Sequence, residues 1–104
     1  MAQEEKHIQK EILNYLEAKG IFHYRQNSGG IARGGRYYKF CSINGVSDII
    51  AIINGIYYGI EVKNEKGKQS KDQKIFEESL KNAGGIYILA RSLKDVINHL
   101  NKNE

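Results

Sequence analysis

The chain holds one cysteine, Cys41, no proline, and no uninterrupted apolar stretch longer than a few residues. A single thiol excludes an internal disulfide and a thiolate zinc cage, and its Phe-Cys-Ser setting reads as strand packing. Apolar stretches this short exclude a transmembrane helix and a secretory leader, so the chain reads as soluble and cytoplasmic. His7, His23 and His99 share no metal-ligand spacing, which removes an imidazole site. Gly67-Lys68 lacks the following Ser or Thr and the upstream glycine of a P-loop, which removes a nucleotide cofactor. No repeat, low-complexity tract or linker interrupts the chain, and 104 residues suffice for one hydrophobic core. One domain over residues 1–104 is expected.

Sixteen Lys and Arg against twelve Asp and Glu give a net charge of +4 and a pI near 9.2, a balance that favours a polyanionic partner. The cations are grouped. Arg25, Arg33, Arg36 and Lys39 precede Asp48, and Lys63, Lys66, Lys68, Lys71 and Lys74 follow Glu61.

Apolar spacing at Ile8, Ile12, Leu13, Tyr15 and Leu16 predicts a helix from residue 4 to about 19, stopped by Lys19-Gly20. Ile21 to Arg25 reads as a strand. The four glycines and two arginines between Gly29 and Arg36 read as a mobile loop, and strand character resumes from Tyr37 to Ile43. Asp48 to Ile53 is a nearly continuous apolar run of the kind a strand buried on both faces shows. Asn54-Gly55 is a strong hairpin signal and returns the chain into Ile56 to Lys63. Ser70 caps a helix whose inner face is predicted to be Ile75, Phe76, Ser79, Leu80 and Ala83. Ile86 to Ala90 forms a strand, and Leu93, Val96, Ile97 and Leu100 line a closing helix. The expected order is α-β-β-β-β-α-β-α.

Asp48 lies six residues before the Asn54-Gly55 turn and Glu61 six after it, which places the two carboxylates nearly opposite in the hairpin. Strand alternation puts Lys63 on the same face as Glu61. Two carboxylates suit Mg²⁺ or Mn²⁺, Val62 offers its backbone carbonyl as a further oxygen, and Lys63 supplies a cation to orient water or neutralise developing charge. This set matches what phosphodiester hydrolysis requires. Alone, Glu61-Val62-Lys63 also reads as a solvated strand edge. Its carboxylate partner, the flanking cations and the helix that follows favour the metal site. Arg33 and Arg36 in the glycine-rich segment read as phosphate contacts, with Asn27 and Ser28 near the scissile group. A disordered tip is the other reading of that segment. Tyr37 and Tyr38 are base-stacking candidates, one of them expected to face the core.

These pieces occur in an order that resembles the PD-(D/E)XK nuclease superfamily and, within it, the virus-type replication-repair nuclease (VRR-NUC) family of phage proteins and larger DNA-repair nucleases. The resemblance covers nearly the whole chain. It rests on Glu5-Lys6-His7-Ile8-Gln9, Arg25-Gln26-Asn27-Ser28-Gly29, Gly45-Val46-Ser47-Asp48-Ile49-Ile50, Glu61-Val62-Lys63 and Ser70-Lys71-Asp72-Gln73, with Ser47 standing where the superfamily name has proline. It implies an α/β, restriction-endonuclease-like core with a mixed β-sheet flanked by helices. It implies that Asp48 and Glu61 bind the metal, that Lys63 completes the site, and that Gln73 lies near it. Glu5 or Gln9 would be an outer metal ligand or water partner. A solvated helix start explains Glu5 equally well, and a capping box with Ser70 explains Gln73.

The expected activity is that of a Mg²⁺- or Mn²⁺-dependent DNA endonuclease, with the resemblance implying a homodimer that resolves four-way junctions. Asn27, Ser28, Gly29, Arg33, Arg36, Lys66 and Lys68 are the expected DNA contacts. The alternatives are a nicking, flap or restriction-type endonuclease with the same site, an RNA-cleaving relative, and a DNA-binding module without catalysis.

Overall fold

Asn54 and Gly55 take positive φ values of 53° and 80°, the two-residue turn whose twist matches that of the strands it joins. In the computed structural model, which describes residues 4–26, 30–39 and 43–102, the elements run α1 (Glu5–Ala18), β1 (Phe22–Arg25), β2 (Gly30–Arg33), β3 (Arg36–Lys39), β4 (Ile49–Ile53), β5 (Ile56–Val62), α2 (Lys71–Asn82), β6 (Ile86–Ala90) and α3 (Leu93–Lys102). The Asn-Gly turn links β4 to β5. Their antiparallel register pairs Ile49 with Ile60, so Asp48 and Glu61 are the next opposed positions.

The main sheet is mixed, in the order β1-β4-β5-β6, with β5 and β6 parallel and the other pairs antiparallel. The parallel pair needs a crossover, which α2 supplies. On one face, Ile49, Ala51, Tyr58, Ile60, Val62, Ile88 and Ala90 pack with Ile8, Ile12 and Leu16 of α1 and Val96 and Leu100 of α3. Each fully buried Ile or Leu contributes about 1.5–3 kcal/mol, so this layer supplies most of the hydrophobic driving force. Helices α1 and α3 put their apolar stripes into that core. What they leave outside is an aromatic patch on the opposite sheet face: Phe22 and Tyr24 of the edge strand β1, in a T-shaped contact at 6.3 Å, beside Ile52 of β4.

Two elements differ from the sequence reading. The glycine-rich segment expected as a loop is a two-stranded ribbon, β2 paired with β3, so five strands precede α2 instead of four. Gly34 and Gly35, at φ 60° and 77°, make a tight turn, and Ile31, Tyr37 and Tyr38 give the flanks strand character. Neither tyrosine faces the core: Tyr37 and Tyr38 are both exposed.

Helix α2 is rotated from its predicted orientation. Ile75, Ser79 and Ala83 are exposed, while Gln73, Phe76, Glu77 and Leu80 are partly buried. Polar anchors set this rotation: Gln69 Nε2 donates to Glu77 Oε1 and to the Tyr87 hydroxyl at 3.0 and 3.1 Å, and Gln73 reaches Glu61. Phe76 packs on Tyr87 with ring centroids 6.4 Å apart. No helix among the described residues is long and apolar enough to cross a membrane.

Candidate active site

Asp48 precedes β4 and directs its carboxylate at β5, where Oδ2 accepts a 2.8 Å hydrogen bond from the Val62 amide. The side chain therefore continues the β4–β5 ladder in place of a backbone carbonyl. On β1, the Gln26 amide donates to the Asp48 carbonyl at 2.8 Å, so the residue is held from both neighbouring strands. Such fixation limits the positions its second oxygen can take, which suits a ligand more than a solvated turn residue.

Glu61 is 2% exposed, an unusual setting for a carboxylate. Gln73 Nε2 donates to its Oε2 at 3.2 Å, and Oε1 is buried with no hydrogen-bond partner among the described residues. The adjacent group is Asp48, itself an acceptor when ionised, so a bond between the two carboxyls requires a proton. Burial is the main reason that the Glu61 pKa is pushed up to about 9, with the hydrogen bond and charge of Asp48 adding to it. The Lys63 ammonium pulls the other way, and Glu5 adds a small upward push.

Gln73 fulfils both sequence readings. The Ser70 amide donates to Gln73 Oε1 at 2.8 Å and the Gln73 amide donates to Ser70 Oγ at 3.1 Å, a complete capping box, while the remaining Nε2 holds Glu61. Gln73→Ala removes half the box and the Glu61 contact together. It is expected to cost about 1–2 kcal/mol in denaturant unfolding; a change below about 0.5 kcal/mol would refute this double anchoring.

Glu5 comes to the site from the opposite layer. Its Oε2 accepts from the Asn64 amide at 3.3 Å, just beyond Lys63. Gln9, one turn further along α1, is half-buried and hydrogen-bonds neither Asp48 nor Glu61 among the described residues. Val62 points its side chain into the core and gives its amide to Asp48. Lys63 is half-buried, and its Cδ lies beside the space in which a side chain at Gly67 would sit. Among the described residues, no three Asp, Glu, His or Cys side chains are gathered into one ligand set. The convergence is of two carboxyls and one ammonium, with Glu5 tied to backbone at its border.

Lys66 and Lys68 are exposed on the turn after β5, and Arg33 and Arg36 are exposed at the tip of the β2–β3 ribbon. Asn27, Ser28 and Gly29 lie outside the described residues, as does Cys41.

Four residues make contacts that the sequence reading does not predict. Arg91 Nη1 donates to the carbonyls of Asn64 and Gly67 at 2.6 and 2.8 Å, and Asn64 Oδ1 accepts from the Lys66 and Gly67 amides, so the turn bearing Lys66 is braced from both sides. An Asn followed three residues later by Gly is a turn signal that could have been read. Gly45, at φ 72°, brings its backbone against that of Asp72 at the start of α2, leaving no space for a side chain. Ser47 is wholly buried over Gly59, and its Oγ has no hydrogen-bond partner among the described residues. Nothing local in the sequence marks these last two contacts, because both form between segments distant along the chain.

Comparison with protein-family models, with curated proteins and with solved structures finds no match to this chain.

Proposed function

We propose that this protein is a metal-dependent DNA endonuclease of the PD-(D/E)XK type, within the VRR-NUC family, with a restriction-endonuclease-like core. The observation that carries this reading is the opposition of Asp48 and Glu61 across a tight hairpin, with Lys63 two residues past Glu61, just beyond the end of β5. The donor set fits a hard divalent cation. Carboxylate oxygens are the preferred ligands of Mg²⁺ and Mn²⁺, and a buried carboxyl with an unpartnered oxygen and a raised pKa gains most from a cation that replaces its proton.

Asp48 and Glu61 would hold the ion, with the Val62 carbonyl as a further oxygen and Glu5 at the edge of the site. When bound, a divalent cation acidifies water and offsets charge on a phosphate oxygen. The chain's own residues do the rest. Val62 N–H and Gln73 Nε2 orient the two carboxylates, and burial keeps competing water from Glu61. The Lys63 ammonium, near enough to counteract the rise in the Glu61 pKa, would orient a water molecule for attack and neutralise charge developing on the phosphate. Arg33, Arg36, Lys66 and Lys68 bind flanking phosphates, together with Asn27, Ser28 and Gly29.

A homodimer acting on four-way junctions accounts for paired cuts by so small a chain, since a two-fold assembly presents two equivalent sites. The aromatic patch of Phe22, Tyr24 and Ile52 supports this part of the reading, because burying it would stabilise a second copy. A non-catalytic DNA-binding module is the second reading, favoured by the tie of Glu5 to the Asn64 backbone.

Cleavage of a labelled four-way junction beside duplex, flap, single-stranded DNA and RNA controls, in Mn²⁺, Mg²⁺ or EDTA, separates these readings. Symmetric metal-dependent nicks in the junction are expected. Nicks confined to flaps or duplex would move the assignment to a nicking, flap or restriction-type enzyme, and preferred cutting of RNA to an RNA-cleaving relative. Binding without cleavage of any substrate would leave the DNA-binding module.

A further inference from the structure

All twelve acidic residues lie outside residues 18–47, a stretch that carries Lys19, Arg25, Arg33, Arg36 and Lys39. The β2–β3 ribbon sits within this acid-free stretch, and the excursion that holds it starts and ends at the candidate site: Arg25 pairs with Ile49, the Gln26 amide donates to the Asp48 carbonyl, and the chain returns at Asp48. The ribbon forms its own two-stranded sheet. An isolated hairpin is marginal in water, and this one leaves Ile31, Tyr37 and Tyr38 about half exposed or more.

Its register sorts the side chains. Ile31 opposes Tyr38 and Arg33 opposes Arg36, and alternation puts all four on one face. Tyr37 is on the other face, where its ring lies over Gly30 and occupies the space a side chain there would need. Directly opposed like charges destabilise an antiparallel pair, and no carboxylate in the segment relieves Arg33 and Arg36. A phosphate between the two guanidiniums would do so. Beside them, Tyr38 and Ile31 offer an aromatic and aliphatic surface to something flat and apolar. A nucleobase that has lost its neighbour supplies that surface directly next to a phosphate. Bases inside a continuous duplex do not, because their faces are already stacked.

We propose that the β2–β3 ribbon is an arm for unstacked DNA: Arg33 and Arg36 clamp one backbone phosphate while Tyr38, backed by Ile31, stacks on the adjacent unpaired or splayed base. The arm deepens the nuclease reading by naming the feature its substrate must have. Selection of branched over continuous DNA then resides in Tyr38, and general affinity in the arginines.

The test uses the full chain in EDTA, so that it does not depend on cleavage. Anisotropy titrations compare a four-way junction carrying 2-aminopurine at the exchange point with a continuous duplex of the same sequence. Wild type should bind the junction more tightly and quench the 2-aminopurine. Tyr38→Ala should weaken junction binding about tenfold or more, as loss of one stacked base predicts, with duplex affinity unchanged and the quench abolished. Tyr38→Phe should restore both. Arg33→Ala should weaken junction and duplex alike and reduce the salt dependence by about one phosphate contact. The proposal is overturned if Tyr38→Ala affects both substrates equally or neither, or if it alters only the sedimentation of the DNA-free protein, which would make the ribbon a contact between protein chains. Its fate is separable from that of the nuclease: junctions left uncut in Mn²⁺ but quenched through Tyr38 refute the enzyme alone, and junctions cut equally well by Tyr38→Ala, with an unchanged quench, refute the arm alone.

Discussion

Glu61→Gln is expected to raise the melting temperature in EDTA at pH 8 while eliminating stabilisation by Mn²⁺. In the folded chain, burial and the neighbouring Asp48 push the Glu61 pKa up to about 9 from an ordinary 4.5. Below pH 4.5 the carboxyl is protonated in both folded and unfolded states, and Glu61 contributes no pH dependence. Between 4.5 and 9 the unfolded chain releases this proton and the folded chain keeps it, so stability falls as pH rises. Above 9 both states are ionised and the penalty is constant. The limiting slope inside the window is about 1.4 kcal/mol per pH unit. Glutamine keeps the shape, can accept from Gln73 and donate to Asp48, and carries no proton to lose. A gain of a few kcal/mol corresponds to a rise of roughly 5–15 °C for a domain of this size.

Thermal melts of both proteins from pH 5 to 9 provide the check. Wild type should lose stability across that range and the variant should hold nearly level. Parallel curves would refute a protonated, buried Glu61. Addition of Mn²⁺ should reverse the ranking at pH 8, since a ligand that binds only the folded state stabilises it and ion binding here displaces a proton. Stabilisation of both proteins by Mn²⁺ to the same degree would place the ion elsewhere.

Lys63→Ala is expected to reduce single-turnover junction cleavage by about 10²–10⁴-fold while changing junction affinity little, the range for loss of a group that acts on charge in the transition state. It should also shift the pH at which Mn²⁺ takes effect upward, because the Lys63 ammonium counteracts the rise in the Glu61 pKa. Asp48→Asn makes a useful partner variant. The Asn carbonyl can still accept from the Val62 amide, so the strand junction is preserved while the charge is lost. Both variants should fold and bind DNA yet cleave poorly. A rate for Lys63→Ala within about threefold of wild type would remove Lys63 from the catalytic role. A merely structural lysine would instead change the melting temperature without shifting the Mn²⁺ pH profile.

Several features of this arrangement are legible in the sequence. Asn54-Gly55 set the register that opposes Asp48 to Glu61, and Ser70 with Gln73 announced a capping box that is present in full. These signals are local: a turn type or a cap is decided by a few adjacent residues and their backbone preferences. The ribbon was also within reach, since Gly34-Gly35 between strand-forming flanks is a hairpin signal. The abundance of glycine there reads as looseness, whereas Gly34 and Gly35 supply the positive φ of one tight turn.

Other features had no local trace. Ile75 has helical spacing that fits a core face, yet it is exposed, because Gln69 and Gln73 bind Tyr87 and Glu61 across the sheet and turn α2 about its axis. Alone, Glu61-Val62-Lys63 reads as a charged strand edge, and only its context in the sequence favours a metal site. Only the cover of α2 over that face makes Glu61 a desolvated carboxyl that retains its proton. Most element types, the hairpin register and the spacing of the three charged groups thus follow from short-range chemistry along the chain. Burial, proton affinity and the outward placement of Tyr38 depend on which distant surfaces exclude water, a property that arises only when the layers pack.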